Sequence, residues 1–255
     1  MKLVKAKKYL GQHFLNNNDM AEKITNFLSY NNYQHLLEIG PGMGILTKHI
    51  LNKDIDFHLI EIDSESVLYL NEKFPDLKKN IIEGDFLKFD LVNHFKNKVA
   101  IIGNFPYNIS SQILFKVWGN HDKVNEVVGM FQKEVADRVL SLKGRKRGIL
   151  SVLIQAFFDI EHCLDLEPNY FSPPPKVQST VIKITRNNRV SLDCSKKLFK
   201  QIVKSAYNQR RKTLRNALKS YNLETRPIIE PLLQLRAEQL SVDDFIKITQ
   251  NAEKA

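Results

Sequence analysis

The strongest constraint on the fold is a glycine-rich turn between an apolar run and a helical pattern: Glu38-Ile39-Gly40-Pro41-Gly42-Met43-Gly44. Glycine adopts backbone conformations closed to other residues and lets the main chain approach a ligand closely. The residues before the turn, 35–39, read as a strand. Ile45, Leu46, His49 and Ile50 after it have helical spacing. The same alternation then repeats. Residues 57–62 read as a second strand, 64–74 as a helix with Ser64 as its N-cap, and 81–82 as the start of a third strand. Residues 99–102 are a continuous apolar run, as a strand buried on both faces requires. A fifth strand at 127–131 and a helix at 134–142 follow. This order predicts an α/β doubly wound sheet of Rossmann type. Ser172-Pro173-Pro174-Pro175 suits neither helix nor central strand, and 180–185 reads as a late antiparallel strand.

Composition narrows the function classes. The chain has 255 residues, 43% of them hydrophobic and 26% charged, which excludes disordered, collagen-like and low-complexity proteins. Two cysteines, Cys163 and Cys194, are too few for a disulfide framework and point to a reducing, cytoplasmic compartment. A net charge of +10 favours a polyanionic partner, nucleic acid or an anionic surface. The best apolar run, 148–158, is far short of the ~20 residues that span a bilayer. Lys2, Lys5, Lys7 and Lys8 form a basic arm with no apolar stretch behind it, so no signal peptide is expected.

From Arg186 to Lys219 there are eleven basic residues and one acid, Asp193. Leu198, Phe199, Ile202, Val203, Ala206 and Tyr207 define one apolar helical face, expected to pack on the α/β domain. Lys196, Lys200, Lys204 and Arg211 lie on the other side of the same wheel. The boundary is placed near Asn187, giving an α/β domain at 1–187 and a small all-helical basic domain at 188–255.

The glycine turn does not meet G-x-G-x-x-G, because the last position is Ile45. It is instead E-x-G-x-G-x-G, the pattern of S-adenosylmethionine-binding methyltransferases. Glu61 ends the second strand about twenty residues on, where a carboxylate accepts hydrogen bonds from ribose hydroxyls. Asp85, in Gly84-Asp85-Phe86, follows the third strand and suits an adenine amino group. A tight turn beside two solvated acids is the plainer reading, and it weakens once both acids stand at successive strand ends.

The fourth strand ends in Asn104-Phe105-Pro106-Tyr107-Asn108. Open α/β sheets bind ligands at strand C-termini. An exocyclic base amine is a poor nucleophile because its lone pair is delocalised into the ring. Two acceptors for its hydrogens, the Asn104 oxygen and the carbonyl of Phe105 or Pro106, tilt that lone pair toward an electrophilic methyl. Pro106 stiffens the turn, and Tyr107 offers a ring face to a flipped base. Asn and Pro are also ordinary turn residues, so the motif gains its weight from its place after the glycine turn.

In this order, Y-L-G-Q-H-F-L at 9–15, E-I-G-P-G-M-G, G-D-F-L at 84–87, N-F-P-Y-N at 104–108, S-P-P-P-K-V at 172–177 and R-R-K-T-L-R at 210–215 resemble the rRNA adenine N6-dimethyltransferases. The likeness is nearest to those of the small-subunit rRNA. The resemblance implies transfer of methyl groups from S-adenosylmethionine, without a metal, to N6 of two adjacent adenosines near the 3′ end of that rRNA. It implies cofactor contacts at His13, Leu15, Gly40, Glu61, Asp85 and Asn104, and catalysis at Asn104, Pro106 and Tyr107. The chain departs from the pattern at His13, where Asn is common, and at Phe105, where Leu is common. Lys200, Lys204, Arg210, Arg211 and Arg215 are expected to contact RNA phosphates, on small-subunit rRNA or its assembling subunit. A monomer is expected.

The alternatives are a large-subunit rRNA dimethylase conferring antibiotic resistance and a non-catalytic RNA-binding assembly factor. A DNA adenine methylase would more often carry D-P-P-Y. The seven histidines show no metal-ligand spacing along the chain, and the basic loop Lys143–Arg147 divides evenly between solvated loop and RNA contact.

Overall fold

Residues 4–223 and 227–253 are described in a computed structural model of the chain. Lys2 of the expected basic arm lies outside them. In chain order the strands are β1 Phe14–Leu15, β2 His35–Ile39, β3 Asp56–Glu61, β4 Ile81–Glu83, β5 Val99–Asn104, β6 Val124–Gln132, β7 Phe158–Leu166, β8 Phe171–Ser172 and β9 Ser179–Arg186. Seven of them form one sheet in the order β4-β3-β2-β5-β6-β9-β7. The first five in that order run parallel, and β9 is antiparallel to β6, in agreement with the reading of the late strand. β1 and β8 make a separate two-residue antiparallel pair.

From β2 the chain steps outward to β3 and β4, then returns to place β5 and β6 on the other side of β2. The strand order therefore reverses between β2 and β5, and a crevice opens there at the carboxyl ends of the strands. Val99, Ala100, Ile101 and Ile102 of β5 are fully buried, which explains their unbroken apolar run. The helices of this part are α1 Asn18–Thr25, α2 Thr47–Ile50, α3 Ser64–Lys73, α4 Leu91–His94, α5 Ser110–Gly119 and α6 Lys133–Leu140. Ser64 is not the N-cap of α3. Asp63 is, with extended backbone at φ −89°, and Ser64 is already helical. β7 was not expected. Asp159, Glu161, His162 and Asp165 interrupt its apolar residues, and the adjacent Glu161 and His162 break the alternation that marks a strand.

The chain divides into two compact units. The first comprises Met1–Ala136 and Asp159–Arg186, the second Asp137–Phe158 and Asn187–Ala255. The second unit takes in 137–158, which the expected division near Asn187 had left with the α/β domain. That segment holds α7 Ile149–Gln155, whose Leu150, Val152, Leu153 and Ile154 are buried. The remaining helices are α8 Lys196–Asn208, α9 Leu214–Ala217, α10 Glu230–Leu233 and α11 Val242–Glu253.

Ser195 caps α8 through a bond from Leu198 N–H to its hydroxyl at 3.2 Å. The apolar face of α8 was expected to pack on the α/β domain. Instead it packs on α7 and α11 of its own unit, with Phe199, Ile202 and Val203 fully buried. Arg147 of the basic loop also turns inward and is only 1% exposed. It donates to Ser141 O at 2.8 Å and to Gln155 Oε1 at 2.5 Å. Among the described residues no helix is long and apolar enough to cross a membrane.

Candidate active site

At the reversal point lies a cleft of about 690 Å³, lined by Gly40, Glu61, Asp85, Asn104, Pro106 and Tyr107 and roofed by the segment from Leu10 to Phe14. Its floor is the glycine turn. Gly40 and Gly42 have φ +65° and +55°, in the left-handed region that favours glycine. A Cβ on Gly42 would come within 2.7 Å of the Phe14 ring, so this position also needs a missing side chain for the roof to close.

Glu61 is 4% exposed and bonded to three main-chain amides. Gly42 N–H meets its Oε2 at 3.0 Å, while Ile62 and Asp63 N–H meet Oε1 at 2.9 and 3.0 Å. Burial pushes its carboxyl above the usual range, the three amides pull it back, and the Asp63 charge adds to the rise. One carboxylate thus ties the end of β3 to the glycine turn after β2. Asp85 holds its own turn through Leu87 N–H at 2.8 Å. Lys116 secures the segment beyond it by donating to Leu87 O at 3.0 Å and to Phe89 O.

Glu38, the first residue of the glycine motif, had no assigned role. It is buried, accepts a bond from the Thr47 hydroxyl at 2.7 Å, and titrates at about 8. Burial causes the rise, the Thr47 bond opposes it and the Glu61 charge adds to it. At neutral pH it is mostly the uncharged acid.

At the end of β5, Asn104 Nδ2 donates to the main-chain carbonyl of His13 at 2.6 Å. A carbonyl only accepts, so the amide is fixed with Oδ1 as its acceptor. Phe105 is 1% exposed and anchors the turn against Phe131, with ring centroids 5.2 Å apart at 71°. The carbonyl of Pro106 closes a turn with Ile109 N–H at 3.1 Å, which favours Phe105 O as the second acceptor. The Tyr107 hydroxyl is bonded to Ser179, and burial pushes the phenol pKa up. Its ring stacks on His13, with centroids 5.4 Å apart at 26°. One face of Tyr107 is therefore taken by the protein, and a base would use the other.

His13, Gly40, Glu61, Asp85, Asn104, Pro106 and Tyr107, expected from sequence, share this cleft. The His13 ring also bonds Pro173 O at 2.7 Å through Nδ1, which must donate because the carbonyl accepts. Leu15 is buried and lines a smaller neighbouring cavity with Glu38 and Met43. Of the basic set, Lys204 and Arg211 are exposed and Lys200 is half-buried. Arg210 is occupied by Glu238 at 2.8 Å and by the Arg145 carbonyl at 2.8 Å, and Arg215 pairs with Glu230. Those acids lie outside the stretch whose composition is so basic. Sequence reasoning also missed Lys7, which pairs with Asp63 and, at 3.2 Å, with Glu65. Gln12 Nε2 reaches the same Asp63 at 3.4 Å. Together they latch the roof segment beside the cleft.

The family model described as ribosomal RNA adenine dimethylase matches residues 3–254. A protein of Cytophaga hutchinsonii, "Ribosomal RNA small subunit methyltransferase A", is 52% identical over 98% of this chain and 98% of its own length. One of the same name from Flavobacterium johnsoniae is 52% identical over 99% of this chain and 98% of its own. Among solved structures, a dimethyladenosine transferase from Plasmodium falciparum superposes with TM-score 0.79 at 23% identity, covering 95% of this chain and 98% of that one. The 23S rRNA methyltransferase ErmE superposes with TM-score 0.73 at 20% identity, covering 94% and 99%. At these identities the two structures speak for the fold, which is that of a methyltransferase.

Proposed function

The chain belongs to the ribosomal RNA adenine dimethylase family, and on that premise we propose that it dimethylates N6 of two adjacent adenosines near the 3′ end of small-subunit rRNA. The observation that carries the chemistry is the Asn104 amide, fixed by the His13 carbonyl at the mouth of the glycine-floored cleft. S-adenosylmethionine, the methyl donor, supplies an electrophilic sulfonium methyl. The residues present suit it. The glycine turn exposes main chain to the cleft, Glu61 would accept from the ribose hydroxyls, and Asp85 would accept from the adenine amine.

Asn104 Oδ1 and the Phe105 carbonyl accept the two hydrogens of the target amine. Held in that way, its lone pair turns out of conjugation and toward the methyl. The N–C bond forms as the S–C bond breaks, leaving S-adenosylhomocysteine. The methylated amine is then cationic and sheds a proton to solvent, so no strong base is needed. Tyr107, stiffened by Pro106 and backed by His13, presents its remaining ring face to the flipped base. In the second transfer the monomethylated amine keeps one hydrogen, so one of the two acceptors holds it while the new N–C bond forms, and loss of that last proton gives the dimethyl product.

In the second unit, Lys200, Lys204 and Arg211 are the basic side chains of the expected set that face phosphates on this reading. Arg210 and Arg215 serve first to hold Glu238 and Glu230. The substrate is small-subunit rRNA or its assembling subunit, and the protein acts as a cytoplasmic monomer. The large-subunit alternative draws on a neighbour only 20% identical, which bears on fold alone.

Mass mapping of methylated adenosines in rRNA from a deletion strain tests the proposal. Two adjacent dimethyladenosines near the 3′ end of small-subunit rRNA should disappear and return with the wild-type gene but not with Asn104→Ala. Loss at large-subunit positions, or no loss, would overturn it.

A further inference from the structure

We infer that His35, Asp56 and His58 form a binding site for one divalent cation of zinc type, at the end of the sheet remote from the methyl-transfer cleft. His35 opens β2 and Asp56 opens β3, and the two are register partners across the parallel pair. His58 lies two residues along β3, on the same face as Asp56. Gly40 and Glu61 lie at the opposite ends of these strands, about 15 Å away at the usual rise per residue.

Both imidazoles converge on one carboxylate oxygen. His35 Nδ1 is 2.7 Å and His58 Nε2 3.0 Å from Asp56 Oδ2. One ligand atom from each of the three residues lies within 4.8 Å of the others. The His58 Nε2 atom is buried, and no partner among the described residues meets it with good hydrogen-bond geometry. A buried polar atom left in that state needs an explanation, and an ion is one of the standard ones. Phe95 packs against both imidazoles, with ring centroids 5.0 and 5.2 Å away, and so limits their rotation. Asp56 is half exposed, which leaves a path for an ion and for water.

The donor set selects the ion. Two imidazoles and a carboxylate suit zinc and its first-row neighbours, whereas magnesium and calcium take oxygen ligands. Bonds of about 2.0–2.2 Å in a tetrahedral arrangement put ligand atoms about 3.3 Å apart. Each imidazole need only draw back from the carboxylate oxygen by a few tenths of an ångström, the two imidazole nitrogens start within 4.8 Å of each other, and water fills the fourth position. Bound there, the ion pins the first residues of β2 and β3 together and has no part in methyl transfer.

The test uses metal-free full-length protein titrated with Zn²⁺, followed by calorimetry and by competition with a chromogenic chelator. One equivalent should bind to the wild type, and at least about tenfold more weakly to both Asp56→Asn and His58→Ala, a loss typical of a damaged metal shell. Zn²⁺ should raise the thermal midpoint of the wild type alone, by mass action on the folded state. Mg²⁺ should do neither, and methyl transfer should be the same with and without Zn²⁺. Absence of stoichiometric uptake by the wild type overturns the site, as does uptake unchanged in both variants.

Discussion

The side-chain amide of Asn104 is held by the backbone of His13, 91 residues earlier in the chain, through a 2.6 Å hydrogen bond. The residue proposed to orient the target amine thus takes its own orientation from the roof of the cleft. That roof is fixed in turn by Lys7 and Gln12 on Asp63 and by the His13 ring on Pro173 and Tyr107.

Asn104→Ala should lower the single-turnover methylation rate by about 10²-fold or more, the usual scale for losing one preorganised polar group in a transition state. Asn104→Asp should be no better, because a carboxylate cannot donate to the His13 carbonyl. RNA affinity should hardly move, since the lost interaction is strongest in the transition state. A near-normal rate in either variant would remove the amine-orienting role.

Glu61→Ala should weaken S-adenosylmethionine binding about ten- to a hundredfold, the loss expected for a charged hydrogen bond worth roughly 1.5–3 kcal/mol. It also releases the amides of Gly42, Ile62 and Asp63, so the thermal midpoint should fall too. Calorimetry with the cofactor reads the first effect, and unchanged affinity would take Glu61 out of the site.

Glu38 predicts a pH dependence. Its folded-state carboxyl titrates at about 8, well above the ordinary glutamate range. Between the ordinary range and 8 the unfolded chain has lost this proton and the folded chain keeps it. Stability therefore falls as pH rises through that window, by up to about 1.4 kcal/mol per pH unit from this group. Glu38→Gln keeps an acceptor for Thr47 and removes the titration. Urea unfolding of both proteins at pH 5, 6.5 and 8 should show the variant gaining on the wild type as pH rises. A constant difference would mean that Glu38 is ionised in the folded protein.

Lys204→Ala with Arg211→Ala should weaken rRNA binding and flatten its salt dependence. The slope of log K against log salt should change by about 0.7–0.9 for each phosphate that the variant no longer neutralises. Cofactor affinity should stay the same. Arg210→Ala should act differently, lowering stability through Glu238 and the Arg145 carbonyl. Binding titrations across KCl concentrations separate the two. An unchanged slope in the double variant would mean that neither Lys204 nor Arg211 sits on a phosphate.

The cleft was legible because a doubly wound sheet turns chain order into spatial order. Once 35–39, 57–62, 81–82 and 99–102 are read as successive parallel strands, the residues that follow them must meet at one edge. Gly40, Glu61, Asp85 and Asn104 each stand at such an end, so pattern alone brought them together. The apolar face of α8 was legible too, since helical spacing sorts residues onto faces.

Periodicity says which face is buried and nothing about what buries it. The partners of α8 proved to be α7 and α11, and 137–158 joined the second unit although Asp159–Arg186 of the first unit separates it from Asn187 in the chain. Charge counts failed for a related reason. Glu238 and Glu230 lie far along the chain from Arg210 and Arg215, and only folding brings them within bonding distance. Linear spacing likewise hid His35, Asp56 and His58, which meet through the register of two strands. Local chemistry and period, written in neighbouring residues, settled the sheet and its binding edge. The roof latched by Lys7, the setting of Asn104 and the protonation of Glu38 depend on side chains that are distant in the chain, and only the packed fold determines which of them touch and how far water is excluded.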